Sequence, residues 1–181
     1  LDLNKTLGDY LPELKATNKG GILLSNLLAH EAGLKAFIPH YTKTLSSGKW
    51  NPSYYKDSIS AGYTLPVSNE MFAQTTLRDS LWKWTVESEL LPKPYGYVYS
   101  DLTMYFMQAV IERIVNQPLD EFVAHNFYAP LGLQTLTFKP FEKIPLAQIA
   151  PTENDLTFRG RQIQGYVHDP GAAMYGGVAG H

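Results

Sequence analysis

Cysteine is absent from all 181 residues, which excludes disulfides and thiolate metal sites and leaves the redox compartment open. An excess of charge of one sign is missing as well. Fifteen Lys and Arg stand against 17 Asp and Glu, with no basic stripe and no run of like charge, so nucleic acid is not an expected partner. No apolar run approaches the roughly 20 residues that cross a bilayer. The opening stretch LDLNKTLGDYLPEL also lacks the charged and apolar regions of a signal peptide. Internal repeats and low-complexity linkers are absent, as are the G-x-S-x-G nucleophile elbow and the G-x-x-x-x-G-K-[ST] phosphate loop. His30 and Glu31 look like the start of the zinc motif H-E-x-x-H, but Leu34 occupies the second ligand position. His168, Asp169 and His181 have no helical ligand spacing, and a turn capped by Asp169 is the simpler reading, so neither metal nor cofactor is expected.

What is present is apolar and aromatic. At 44% hydrophobic and 13% aromatic the chain can bury a full core, and a single domain over residues 1–181 is the default. Leu24, Leu27 and Leu28 fall at helical spacing in GILLSNLLAHEAGL, with Gly33 able to end that helix. Residues 35–70 carry Gly, Pro, Asn and Ser without a sustained period, which predicts a long ordered loop held by its aromatic residues. A helix is predicted over 76–91, with Leu77, Leu81 and Trp84 on one face. The most apolar helix begins at Ser100, and its narrow polar stripe of Asp101, Gln108, Glu112 and Asn116 predicts a central position. Another follows at Pro118, burying Leu119, Phe122, Val123 and Phe127. Beyond 134 the chain is expected to be irregular until Asp169 and Pro170 open a last helical turn. The Gly-rich apolar end suggests a fragment.

A serine three residues before a lysine can form a nucleophile pair when a helical turn brings the amine beside the hydroxyl. The pattern occurs three times, at Ser46 and Lys49, Ser53 and Lys56, and Ser80 and Lys83. The first two lie in the irregular stretch, and the third is expected on a solvated helix face.

Tyr99, Ser100 and Asp101 stand where a Pro/Gly/Tyr loop enters the apolar helix. Ser100 suits a cap, Asp101 suits the positive end of the helix, and Tyr99 is readable as an ordinary core aromatic. An alternative reading is chemical. A phenol, ordinarily near pKa 10, becomes a usable base where a helix N-terminus and a nearby ammonium stabilise its anion.

The stretches LDLNKTLGDYLPEL, LLAHEAGL, YVYSDLTMYFMQAVIERIVNQPLDEFVAHNFYAPLGL and GYVHDPGAAMYGGVAGH, in this order, resemble the serine beta-lactamase-related family, which includes class C beta-lactamases, penicillin-binding D,D-peptidases and related esterases. The resemblance covers nearly the whole chain and is strongest over 97–133. It implies that Tyr99 is the general base of an acyl-transfer site, and that Ser100 and Asp101 position it and contact substrate or an active-site lysine. Asp101 stands where asparagine is usual, which weakens any inference about recognition of a lactam side chain. The family's serine, its lysine and its Lys/His-Thr/Ser-Gly strand motif would fall outside these residues. The resemblance therefore implies a mainly α fragment, the helical part of the beta-lactamase/penicillin-binding-protein-like fold with long irregular loops and no sheet domain, catalytically silent alone. It further implies an extracytoplasmic location, a small-molecule or peptidoglycan-type substrate, and self-association through the apolar face that the missing sheet leaves uncovered. A non-catalytic peptide- or glycan-binding module of the same fold is the alternative, for which the 12 tyrosines offer stacking surfaces.

Overall fold

The computed structural model describes residues 1–176. Its helices are α1 (Leu7–Tyr10), α2 (Leu24–Leu28), α3 (Leu77–Val86), α4 (Leu102–Val115), α5 (Leu119–Val123) and α6 (Pro170–Tyr175). Its strands are β1 (Leu45–Ser46), β2 (Lys49–Trp50), β3 (Tyr55–Lys56), β4 (Leu65–Ser68), β5 (Met71–Ala73), β6 (Pro151–Asp155) and β7 (Arg161–Gln164). With 36% helix and 15% strand in three small antiparallel sheets, β1–β2, β3–β5–β4 and β6–β7, the expectation of a mainly α fold without sheet is corrected. The strands run from two to five residues, too short for an alternating pattern to show against their Gly, Asn and Ser turns. The predicted loop over 35–70 thus contains a hairpin: Ser46 faces Lys49, and Ser47 and Gly48 between them both have positive φ, the type I′ geometry that matches strand twist.

Two compact units divide the chain, Leu1–Ile38 with Trp82–Phe122, and Pro39–Leu81 with the segment from Val123 on. In the first, α1 packs on α4. Leu7, Leu11, Leu14, Leu24, Leu27, Leu102, Phe106 and Val110 are all buried, each contributing about 1.5–3 kcal/mol by leaving water. Trp82 meets Phe106 edge to face at 5.5 Å between ring centroids. The first half of α4 is buried nearly all round, and Gln108, expected on a polar stripe, is itself buried and donates to Glu112 at 3.0 Å. Its second half emerges, leaving Ile114 exposed, and Asn116 closes it in the left-handed conformation. The helix expected after Pro118 is short and buries none of its residues. It runs into a wider turn over Ala124–Tyr128, where Phe127, predicted to be buried, is exposed.

In the second unit α6 packs against β4. Asp169 caps α6 by accepting the Gly171 N–H at 2.7 Å, and Pro170 fills the first position as the sequence predicts. The buried Tyr55 hydroxyl pairs with Thr44 Oγ1 at 2.6 Å and donates to Met174 Sδ at 3.8 Å. Its ring meets Phe158 at 5.7 Å.

Burial, reinforced by the like charge of Lys43 and opposed by Asp169, pulls buried His40 down to about 4. The unfolded chain takes up a proton near the ordinary histidine value, whereas the folded one waits until about pH 4. Stability therefore falls as pH drops through that window, by about 2 kcal/mol at pH 4.5 after allowing for solvent screening. Urea denaturation at pH 7 and 4.5 checks this, and His40→Gln is expected to remove that part of the difference.

Candidate functional site

Tyr99 sits in a loop of the first unit that hydrogen bonds from a neighbouring segment hold on both sides. The Val98 N–H donates to the His30 carbonyl at 2.9 Å, and the Ser100 N–H to His30 Nδ1 at 3.1 Å. The Ser100 hydroxyl donates to the Lys35 carbonyl at 2.7 Å, and the Asp101 N–H to the Ala36 carbonyl at 3.0 Å. Ser100 is 1% exposed and Tyr99 62%. The loop thus buries its serine and presents its phenol. The cap that the sequence offered is not used, because the Ser100 hydroxyl is turned to Lys35 instead of to the first turn of α4. The helical turn still begins there, with the Thr103 N–H on the Ser100 carbonyl at 3.2 Å. Asp101 occupies the N-cap position in α-helical conformation.

The other end of the loop is fixed by a close approach. The Leu91 N–H donates to the Gly33 carbonyl at 2.7 Å. A Cβ on Gly33, whose φ is +71°, would stand 2.5 Å from the Tyr95 ring. Only glycine permits both the turn and the contact. Upstream, buried Lys19 donates to Asn18 Oδ1 at 3.0 Å and to the Ser88 carbonyl. Burial, with the like charge of Lys35, pulls its ammonium down to about 8.

His30 is the residue that sequence reasoning missed. It occurs just past the end of α2, where the His30 N–H reaches the Leu27 carbonyl at 3.1 Å and the Glu31 N–H the Asn26 carbonyl at 2.8 Å. This Schellman closure needs a left-handed residue and normally employs glycine. His30 adopts it at φ 57°, at a cost of about 1 kcal/mol for a side chain. Its ring lies on the Tyr99 ring at 4.6 Å between centroids, tilted by 41°, and meets the Tyr97 ring edge-on at 6.0 Å. Nothing in the local sequence separates a histidine in this role from one continuing the helix.

The serine–lysine pairs do not form nucleophile sites. Ser46 and Lys49 face each other across the exposed hairpin. Lys56 Nζ lies over the Tyr63 ring at 5.4 Å, and Lys83 Nζ pairs with Glu87 at 3.8 Å on an exposed face. Among the described residues no group of three or more His, Asp or Glu is placed to hold a metal; His181 lies outside them.

A family model described as Beta-lactamase matches residues 1–176. A "Putative D-alanyl-D-alanine carboxypeptidase" of Salmonella agona is 27% identical over 201 residues, covering 100% of this chain and 41% of the relative. A protein of the same name from Salmonella typhimurium matches with the same identity and coverage. The chain thus spans about two fifths of the length of these curated relatives. The crystal structure of a "putative beta-lactamase from Bacteroides dorei DSM 17855" shares the fold, with a TM-score of 0.51 at 19% identity over 98% of this chain and 38% of that one.

Proposed function

The chain belongs to the beta-lactamase family, and from that premise we propose that it is part of a serine hydrolase that forms an acyl-enzyme on an amide or ester, with Tyr99 as general base. The observation that carries the reading is the contrast between an exposed Tyr99 and the buried, doubly bonded Ser100 beside it. A base has to reach the proton that it takes, and a rigid loop that presents its phenol meets that requirement.

In the proposed reaction a serine hydroxyl attacks the substrate carbonyl and its proton passes to the Tyr99 oxygen. The C–N or C–O bond then breaks, the phenol returns the proton to the leaving group, and the acyl group stays on the serine until water removes it. Ser100, buried beside the phenol, and Asp101 hold Tyr99 in place, and the half-buried Asp101 contacts substrate or the active-site lysine. The serine and its lysine come from sequence outside these 181 residues, which are silent alone. The relatives' name favours a peptidoglycan-type peptide as substrate, and such a substrate supports an extracytoplasmic location. Exposed Phe127, Leu131 and Leu136 support self-association.

Intact-mass analysis of the full-length gene product, incubated with a penicillin or with an acyl-D-alanyl-D-alanine peptide, tests the proposal. The expected result is a one-to-one covalent adduct on a serine outside residues 1–181. An adduct on Ser80, or none with any lactam, peptide or ester, would overturn it.

A further inference from the structure

Resting on the reading of Tyr99 as general base, we propose that His30 is the positioning residue that sets the direction of the Tyr99 phenol. The backbone on both sides of Tyr99 is bonded to this one residue. Its carbonyl accepts the Val98 N–H at 2.9 Å, and its Nδ1 accepts the Ser100 N–H at 3.1 Å. Between those two anchors the imidazole lies against the Tyr99 ring at 4.6 Å. The main chain at Tyr99 is therefore pinned fore and aft, and the side chain has a wall on one side.

An accepting Nδ1 places the ring proton on Nε2. Thr103 Oγ1, which donates to the Leu27 carbonyl at 3.3 Å, also lies 3.3 Å from Nδ1 and completes the pocket around that nitrogen. The left-handed backbone at His30 makes the arrangement possible, because it lets the carbonyl and the ring nitrogen reach amides two residues apart. A helix end requires only that conformation, and glycine meets the requirement without strain. The imidazole is thus surplus to closing α2, and among the described residues its ring meets Tyr97, Tyr99, Ser100 and Thr103.

The distinction between a helix-closing residue and a positioning residue is testable in the full-length gene product with His30→Gly, His30→Asn and Tyr99→Phe. His30→Gly keeps the closure and removes the ring. Relief of the left-handed strain offsets part of the loss of the buried Ser100 N–H bond, so the Tm is expected to fall by only a few degrees while kcat falls about 10- to 100-fold with KM nearly constant, the cost of a misplaced catalytic group. His30→Asn offers an amide oxygen near the position of Nδ1 and tolerates the left-handed conformation, so it is expected to recover most of the lost kcat. In spectra of protein carrying 13C-labelled tyrosine, the Tyr99 signal, identified by its loss in Tyr99→Phe, is expected to move in His30→Gly as the neighbouring ring current disappears.

A His30→Gly kcat within twofold of the parent, with Tyr99→Phe inactive, would overturn the positioning role and leave the general-base reading standing. Full turnover by Tyr99→Phe would overturn the general-base reading itself. The labelled signal still decides whether His30 orients the ring, since an unmoved and equally sharp resonance in His30→Gly refutes it. Should His30→Gly fail to fold, the labelled signal in His30→Asn decides instead, because loss of the ring must still move the Tyr99 resonance, and an unmoved, equally sharp signal there refutes the positioning role.

Discussion

Tyr99→Phe in the full-length gene product is expected to lower kcat by about 10²–10⁴-fold, the range that a positioned general acid–base group contributes, with KM shifted only a few-fold. The substitution is a clean probe for three reasons. It deletes one oxygen from an exposed residue, it retains the ring that rests on His30, and it leaves every backbone hydrogen bond of residues 98–101 in place. Stability is therefore expected to stay within about 0.5 kcal/mol of the parent, as for a surface change. A drop in turnover at constant Tm locates the effect in proton transfer rather than folding. Single-turnover acylation followed by rapid quench reads the step directly, and an unchanged acylation rate would remove Tyr99 from the reaction.

The largest effect on stability is expected at Arg159. Its guanidinium, 1% exposed, donates to the Val167 carbonyl at 2.8 Å and the His168 carbonyl at 2.7 Å, and Nε lies 3.5 Å from Asp155 Oδ2. Asp155 in turn accepts the Phe158 N–H at 2.9 Å and the Arg159 N–H at 3.2 Å, so one buried ion pair closes the β6–β7 turn. Arg159→Met leaves the buried carboxylate without its counter-charge and the Val167 and His168 carbonyls without their donor, which is expected to cost about 3–5 kcal/mol. In a protein of this size or larger that corresponds to a Tm lower by roughly 10 °C. Calorimetry or guanidinium denaturation checks it, and a loss under 1 kcal/mol would show the pair to be dispensable.

The pH dependence carries a second signature of the same pair. Burial works to raise the Asp155 carboxyl, but hydrogen bonds from Phe158, Thr157 and Arg159, together with the Arg159 charge, outweigh it and hold the group below its ordinary value. A carboxyl lowered in this way adds stability above its unfolded value and loses it as pH falls through the folded one. Removing Arg159 moves that loss to higher pH, so the variant denatures earlier on acidification.

The sequence makes helices legible where apolar residues recur over several turns, as along α3 and α4, and where a cap has its own chemistry, as at Asp169 and Pro170. It fails where structure is decided by partners distant in the chain. The strands of β3–β5–β4 pair in runs of two to four residues, and nothing local announces them. Leu119, Phe122 and Val123 have the spacing of a buried face, yet none of α5 is buried; spacing orders residues on a helix and does not say what lies opposite. The same limit applies at the site. Tyr99, Ser100 and Asp101 are conspicuous as a motif, but the bonds that fix them come from residues 30–36, about 65–70 positions earlier, and His30 drew notice only as half of a zinc motif.

Three of the bonds that hold residues 98–101 end on main-chain oxygens, those of His30, Lys35 and Ala36. Any amino acid supplies such an oxygen. Substitutions at positions 35 and 36 that keep the backbone path therefore preserve both of their bonds, whatever the size or charge of the side chain. Positions 30 and 33, whose contributions come from an imidazole and from the lack of a side chain, have no such latitude.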